Sequence, residues 1–169
     1  MRHDIIKYMK KEKLPGDYIA GFVDGEGCFA LKFRRDVRYD RPGNPIYFYW
    51  DIEFAIMLRK DDLEILKDIQ ETLDCGKISI TADGNARYAV NDMNDLATKV
   101  IPFFNEFPLR AKKQYDFKLW EEAYKILKRN KRKSVGKEDT AFLKEIYDKM
   151  RAYKSSVKPW KWLGNRKVK

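Results

Sequence analysis

The sequence predicts an α+β fold in which a helix, two strands, a helix, two strands and further helices follow one another along 169 residues. Three observations predict it. Apolar and polar residues alternate at period two over residues 28–35 and 46–58, the pattern of strands with one buried face. Apolar residues at 63, 65, 66, 69 and 73 recur at helical spacing. Two short β-rich runs flank Ala82-Asp83-Gly84-Asn85, a hairpin turn signal.

The elements follow in order. Residues 1–13 are basic and read as an N-terminal arm. Pro15-Gly16-Asp17 opens the first helix, which runs to about Gly25. In the strand over 28–35, Phe29, Leu31 and Phe33 form one face and Cys28, Ala30, Lys32 and Arg34 the other. A long exposed turn over 36–45 follows, with Arg38, Arg41, Pro42, Gly43 and Pro45. The strand over 46–58 sets Phe48, Trp50, Ile52, Phe54 and Ile56 against Tyr47, Tyr49, Asp51, Glu53, Ala55 and Met57. A helix over 61–73 ends at Cys75-Gly76, and short strands cover 77–81 and 86–90. Asn91 or Asp92 can cap a helix over 93–104. Pro108 interrupts the chain before a helix over 110–129, a basic turn over 128–133, a helix over 138–153 and a basic tail over 154–169.

The whole chain reads as one domain, long enough for its own core. With no apolar run long enough for a bilayer and no signal-peptide core, it is expected to be intracellular and not a membrane protein. Cys28 and Cys75 make no disulfide framework, so a reducing compartment is the expectation. Thirty-six Lys and Arg against 26 Asp and Glu leave a net charge of +10, which suits a polyanionic partner, above all nucleic acid. The single histidine, His3, excludes the usual histidine-based zinc and triad sites.

The densest signal lies at the end of the first helix, Tyr18-Ile19-Ala20-Gly21-Phe22-Val23-Asp24-Gly25-Glu26-Gly27. A glycine inside a helix costs about 1 kcal/mol relative to alanine, so Gly21 needs a reason such as a closely packed second backbone. Two carboxylates and two glycines then close the helix. The stretch from Ile19 to Gly27 resembles the motif of the LAGLIDADG homing endonucleases, with Ala20, Gly21, Asp24 and Gly27 identical to the family's name sequence. Residues 101–109 and Lys112-Lys113-Gln114-Tyr115-Asp116-Phe117 are similar to the family's second recurring stretch. The resemblance covers residues 17–128, and the motif occurs once.

The resemblance implies the mixed αββαββα homing-endonuclease fold with a four-stranded antiparallel DNA-binding sheet, here with extra C-terminal helices. It implies a site-specific, intron-encoded double-strand DNA endonuclease. With one motif per chain, a homodimer would cut both strands of a long, pseudo-palindromic target across the minor groove, leaving cohesive ends. The helices would pair through Ile19, Ala20, Gly21, Val23 and Asp24. By the same resemblance Glu26 is the catalytic metal ligand, with the Gly25 carbonyl as a further ligand for Mg²⁺ or another divalent cation such as Mn²⁺ or Ca²⁺. Lys113 is the basic residue at the site. Read from the residues alone, Asp24 serves hydrogen bonding within the motif turn, Glu26 could equally be a solvated acid at a strand start, and Lys113 a phosphate contact.

The polar face of the sheet carries Lys32, Arg34, Tyr47, Tyr49, Asp51, Glu53, Lys77, Ser79, Thr81 and Arg87, with Arg38 in the adjoining turn. Such a face combines cations for phosphates with groups that pair with base edges, and a strand ribbon fits the major groove. One departure stands out: Leu58 occupies the place where the family commonly has a glutamine, and Arg59, Lys60 or Asp62 could compensate. That departure keeps open a non-cleaving nucleic-acid-binding protein of the same fold, an RNA maturase or a transcription regulator. In the tail, Trp160 and Trp162 read as packing onto the helices, or as stacking on nucleic acid.

Overall fold

The computed structural model describes residues 12–130 and 135–155; the expectations for most of the N-terminal arm, part of the basic turn and the tryptophans of the tail lie outside them. Helix α1 (Gly16–Glu26) leads directly into strands β1 (Gly27–Val37) and β2 (Ile46–Leu58). A short 3₁₀ turn (Lys60–Asp62) precedes α2 (Leu63–Leu73), which is followed by β3 (Lys77–Ile80) and β4 (Ala86–Val90). The four strands form one antiparallel sheet in the order β1-β2-β4-β3. The α+β fold and its antiparallel sheet are therefore as the sequence predicts.

The expected helix over 93–104 is broken. Asp92 caps its start, its carboxylate accepting from the N–H groups of Asn94 and Asp95. Helix α3 (Met93–Asp95) then passes through a π-helical stretch (Leu96–Val100) into α4 (Ile101–Glu106). The Ile101 N–H reaches back five residues to the Leu96 carbonyl. Pro102 follows, has no N–H to give, and tolerates such a wider turn. The next helix, α5 (Lys113–Arg129), begins three residues later than predicted, and α6 (Lys137–Ser155) packs beside it.

Helices cover one face of the sheet. At the centre Phe29 contacts the rings of Phe54, Phe104, Phe117 and Trp120, with centroids 5.1–5.4 Å apart. Trp120 is fully buried, and its indole N–H donates to the Glu53 carbonyl at 3.2 Å. This bond fixes β2 from behind. The period-two pattern overstates how far the core extends. Phe33 and Phe48 lie on the apolar side, stacked 5.7 Å apart, yet each is more than half exposed. The 13-residue β2, roughly 40 Å at about 3.4 Å per residue, outruns the helical layer, and of this patch Trp50 reaches the Tyr147 ring of α6. Cys28 is exposed and Cys75 buried, both free.

Candidate functional site

The C-terminal end of α1 is held by its own sequence. Gly27 closes the helix, and its N–H donates to the Val23 carbonyl. A Cβ on Gly27 would come within 2.5 Å of Val23 Cγ1 and 2.8 Å of Val23 O, so the turn from helix to strand requires glycine there. Ile19 and Val23 are wholly enclosed in the protomer's core. They anchor the helix, so the expectation that they touch a partner needs correcting: a side chain with no accessible surface has nothing to offer one. Gly21 is different. It is exposed, and beyond its chain neighbours and its own helix backbone no atom of the described residues lies within 4 Å of a Cβ built on it. Ala20 is nearly buried and lines, with Asp17, Gly21, Asp24, Pro108 and Arg110, a shallow groove of about 230 Å³.

Asp24 makes no bond of the expected kind within the motif turn. Its Oδ2 accepts from the backbone N–H groups of Arg110 at 2.8 Å and Ala111 at 3.1 Å. These are the residues just ahead of α5, and their pairing with Asp24 ties the start of that helix to the motif. The other oxygen, Oδ1, is buried and finds no hydrogen-bond partner among the described residues.

Lys113, the first residue of α5, is thereby delivered to the end of α1. Its ammonium donates to the Gly25 carbonyl at 3.2 Å and to the Gly27 carbonyl at 2.6 Å, bracketing Glu26. Burial pushes the Lys113 pKa below the ordinary lysine value, against the opposing pull of Cys28, Asp116, Asp24 and Glu26. Lys112 and Arg110 are exposed nearby. The Glu26 carboxylate is exposed, and the Gly25 carbonyl keeps a second lone pair beyond its bond to Lys113. Among the described residues no three acidic, histidine or cysteine groups gather into a metal cage. One carboxylate and one carbonyl are an all-oxygen donor pair, which fits a hard cation such as Mg²⁺ that keeps several of its waters.

Leu58 supplies nothing polar: it is half-buried and packs against the core. Of the neighbours that could compensate, Arg59 is paired with Asp61 at 2.7 Å, and Lys60 and Asp62 are exposed.

The register puts the polar sheet residues on one face. Lys32 lies opposite Asp51, Arg34 opposite Tyr49, Ala30 opposite Glu53, and Ser79 and Met57 opposite Arg87. Lys77 pairs with Ala89 on the same side. Tyr47, Tyr49, Lys77 and Ser79 are exposed. The charges are already partnered with one another: Arg34 with Asp51 at 2.8 Å, Arg38 with Asp36 at 2.9 Å, and Glu53 with Lys32 and Arg87. Thr81 falls just beyond β3, where its hydroxyl accepts from the Asn85 N–H and helps close the hairpin. Sequence reasoning missed three features: the bonds from Asp24 to residues 110 and 111, the Gly27 carbonyl as an acceptor for Lys113, and the support of Glu53 by Trp120. Each joins segments more than 60 residues apart, and no local pattern signals it.

Comparison with known proteins agrees with the fold. “Probable intron-encoded DNA endonuclease 1” of Mycosarcoma maydis is 36% identical over 90 residues, 53% of this chain and 30% of that protein. The chain spans 20–30% of the length of the curated relatives it matches. A crystal structure of a homing endonuclease, I-TnaI, is similar at TM-score 0.68 and 25% identity, over 86% of this chain and 99% of that one. The LAGLIDADG meganuclease I-AabMI bound to uncleaved DNA is similar at TM-score 0.62 and 30% identity, over 79% of this chain and 44% of that one. A family model described as LAGLIDADG endonuclease matches residues 19–124, the larger part of the sequence, and the chain belongs to that family.

Proposed function

We propose that the protein is a homodimeric, divalent-metal-dependent endonuclease that cuts double-stranded DNA at a long, roughly two-fold-symmetric site, in the service of intron homing. The observation that carries the reading is the convergence at the end of α1. Glu26 and the Gly25 carbonyl stand beside an ammonium brought in from 88 residues away, next to a sheet face rich in paired cations. Relatives that bear the name “Probable intron-encoded” endonuclease, and a similar structure bound to DNA, support it.

A second copy supplies what one chain lacks. Gly21 is open, a groove runs beside it, and Asp24 Oδ1 is buried with no donor of its own among the described residues. These suit a second α1 crossing at close range. Pairing the helix ends brings two Glu26 carboxylates together over the centre of the duplex, while each sheet follows one half-site in the major groove. Held by Glu26 and the Gly25 carbonyl of each protomer, Mg²⁺ (or Mn²⁺ or Ca²⁺) would activate water and offset charge on the leaving oxygen. Lys113 holds the two carbonyls in place and sets a positive charge beside the scissile phosphate, stabilising the anionic transition state. The tight turn at Gly27 keeps Glu26 in register with the strand that meets the DNA.

The test is selection of cut duplexes from a randomised double-stranded library by the full chain in Mg²⁺, with Glu26→Gln alongside and sedimentation to read the assembly. The expected result is a dimer, one preferred symmetric site, cleavage by the native protein, and binding without cleavage by E26Q. The apolar Leu58 favours a second reading, a non-cleaving binder of the same fold. Equal binding and no cutting by both proteins would establish that reading and overturn the first.

A further inference from the structure

Among the described residues Glu53 is the sole charged residue that is buried, at 7% exposure, and it lies in the middle of the polar sheet face. Its Oε1 accepts from Lys32 Nζ on β1 at 2.7 Å and stands 2.5 Å from an Arg87 guanidinium nitrogen on β4. One carboxylate oxygen on the central strand thus holds two cations from the strands on either side. Lys32 and Arg87 remain part-exposed, their side chains 38% and 26% accessible, while the acid beneath them is covered. From the opposite face of the sheet, Trp120 grips the Glu53 carbonyl.

The polar face had suggested that Glu53 meets DNA directly. A base-reading acid must present a free oxygen to a cytosine amine. The Oε1 of Glu53 is shared by Lys32 and Arg87, and its side chain is only 9% accessible, so little of the carboxylate is open to a base. We propose instead that Glu53 is a positioning residue for sequence recognition: a buried counterion that aims Lys32 and Arg87 at the bases of the half-site without touching them. Two long, flexible cations on the strands flanking β2 would otherwise repel and spread over phosphates, which any sequence offers. Anchored on one oxygen, they keep a fixed spacing, and fixed donors distinguish one base edge from another. Burial raises the pKa of this carboxyl, but the hydrogen bonds and charges of Arg87 and Lys32 outweigh it and hold the group below its ordinary value, so the anchor stays ionised at neutral pH. The inference rests on the endonuclease reading.

Specificity and bulk affinity part company in the test. The native full chain and Glu53→Gln are each put through binding selection from the randomised duplex library, and their affinities for the selected and a scrambled duplex are measured at several salt concentrations. With one negative charge fewer and two cations released, E53Q should bind the scrambled duplex at least as tightly as the native protein. Its preference for the selected site should fall about tenfold, within what one good base contact is worth. The relaxed base pairs should be those relaxed by Lys32→Ala and Arg87→Ala. Unchanged preference in E53Q would overturn the inference, as would a parallel loss of both affinities, which marks a merely structural role. Should E53Q fail to fold, the two alanine variants decide. A shared anchor makes the base positions they relax overlap, and two disjoint sets would refute it. A native chain that binds no duplex ends the endonuclease reading and this inference with it; a native chain that cuts while E53Q keeps its preference ends this inference alone.

Discussion

Replacing Asp24 tests how the motif helix controls the lysine that faces it. Its Oδ2 accepts two backbone N–H groups, at 2.8 and 3.1 Å, from Arg110 and Ala111. Hydrogen bonds to an ionised acceptor are worth about 1.5–3 kcal/mol each when dry. These two lie on the exposed side, where water can replace the carboxylate, so about 1 kcal/mol each is the better figure. Asp24→Ala should then cost about 2 kcal/mol. Asp24→Asn keeps a neutral acceptor, about half as strong, and should cost about 1 kcal/mol. In a chain of this size these losses lower Tm by about 4–8 °C and 2–4 °C respectively. The cut should suffer more than the fold, because the tethered residues lead directly into Lys113: a displacement of about 1 Å at a reacting centre costs about a hundredfold in rate. Thermal melts followed by circular dichroism, and single-turnover cleavage of the selected duplex, read the two effects. The buried Oδ1 adds a second check. If a donor from the other protomer meets it, the Tm deficit of D24A shrinks on dilution, since the stabilisation a partner gives falls with its concentration. A D24A melt within about 1 °C of the native protein, or D24A and D24N alike in both stability and rate, would refute the tether.

Three further outcomes follow from the geometry. Gly21→Leu meets open space in the protomer and improves helix propensity by roughly 1 kcal/mol, so the chain should fold as before yet sediment as a monomer and lose cleavage; an unchanged dimer would refute pairing at this residue. Burial holds the Lys113 pKa below 10.5, so this cation is lost earlier than a free lysine's as pH rises. The cleavage rate should fall through an alkaline limb below that value, and Lys113→Met should remove the limb along with most of the activity. The folded-state pKa of Glu53 lies below its ordinary value of 4.5. Its contribution to stability is therefore complete above the unfolded pKa and is lost as pH falls through the folded one. Urea midpoints across that acid window should drop less steeply for Glu53→Gln than for the native chain.

How much of this could be read beforehand depends on the range of the interaction. The limits of β2 coincide with the alternating run over 46–58 because a strand with one buried face writes its period into the sequence. The same period places Phe33 and Phe48 on the helix side but says nothing of whether helices reach them, and here they do not. Alternation likewise assigns Glu53 to the outer face. Its carboxylate oxygen is shared by Lys32 and Arg87, and these pairs cross two strand boundaries fixed only by the sheet order. The break at Leu96–Val100 was foreshadowed by Pro102, whose missing N–H any reading of the helix can note. The partners of Asp24 were not foreshadowed. A carboxylate at a helix end offers a bond to whatever N–H the tertiary fold presents, and that choice was made 86 residues away.

Two of the motif's three glycines, Gly21 and Gly27, separate what one chain needs from what its assembly needs. Gly27 is forced by the protomer: a Cβ there would strike Val23, and the helix could not turn directly into β1. Gly21 is forced by nothing in the protomer. It sits in the helix interior, exposed, at a cost of about 1 kcal/mol that alanine would remove. The cost has a physical reason if another backbone approaches to within a distance that any side chain would prevent, as happens where helices cross through small residues. Ala20, small and nearly buried beside it, and Asp24, with one oxygen buried and unmet, lie along the same groove. A solitary protomer therefore accounts for one glycine and leaves the other unexplained. A two-fold pair accounts for both, and brings together two copies of a Glu26 that belongs to no cluster of three or more acidic, histidine or cysteine groups among its own chain's described residues.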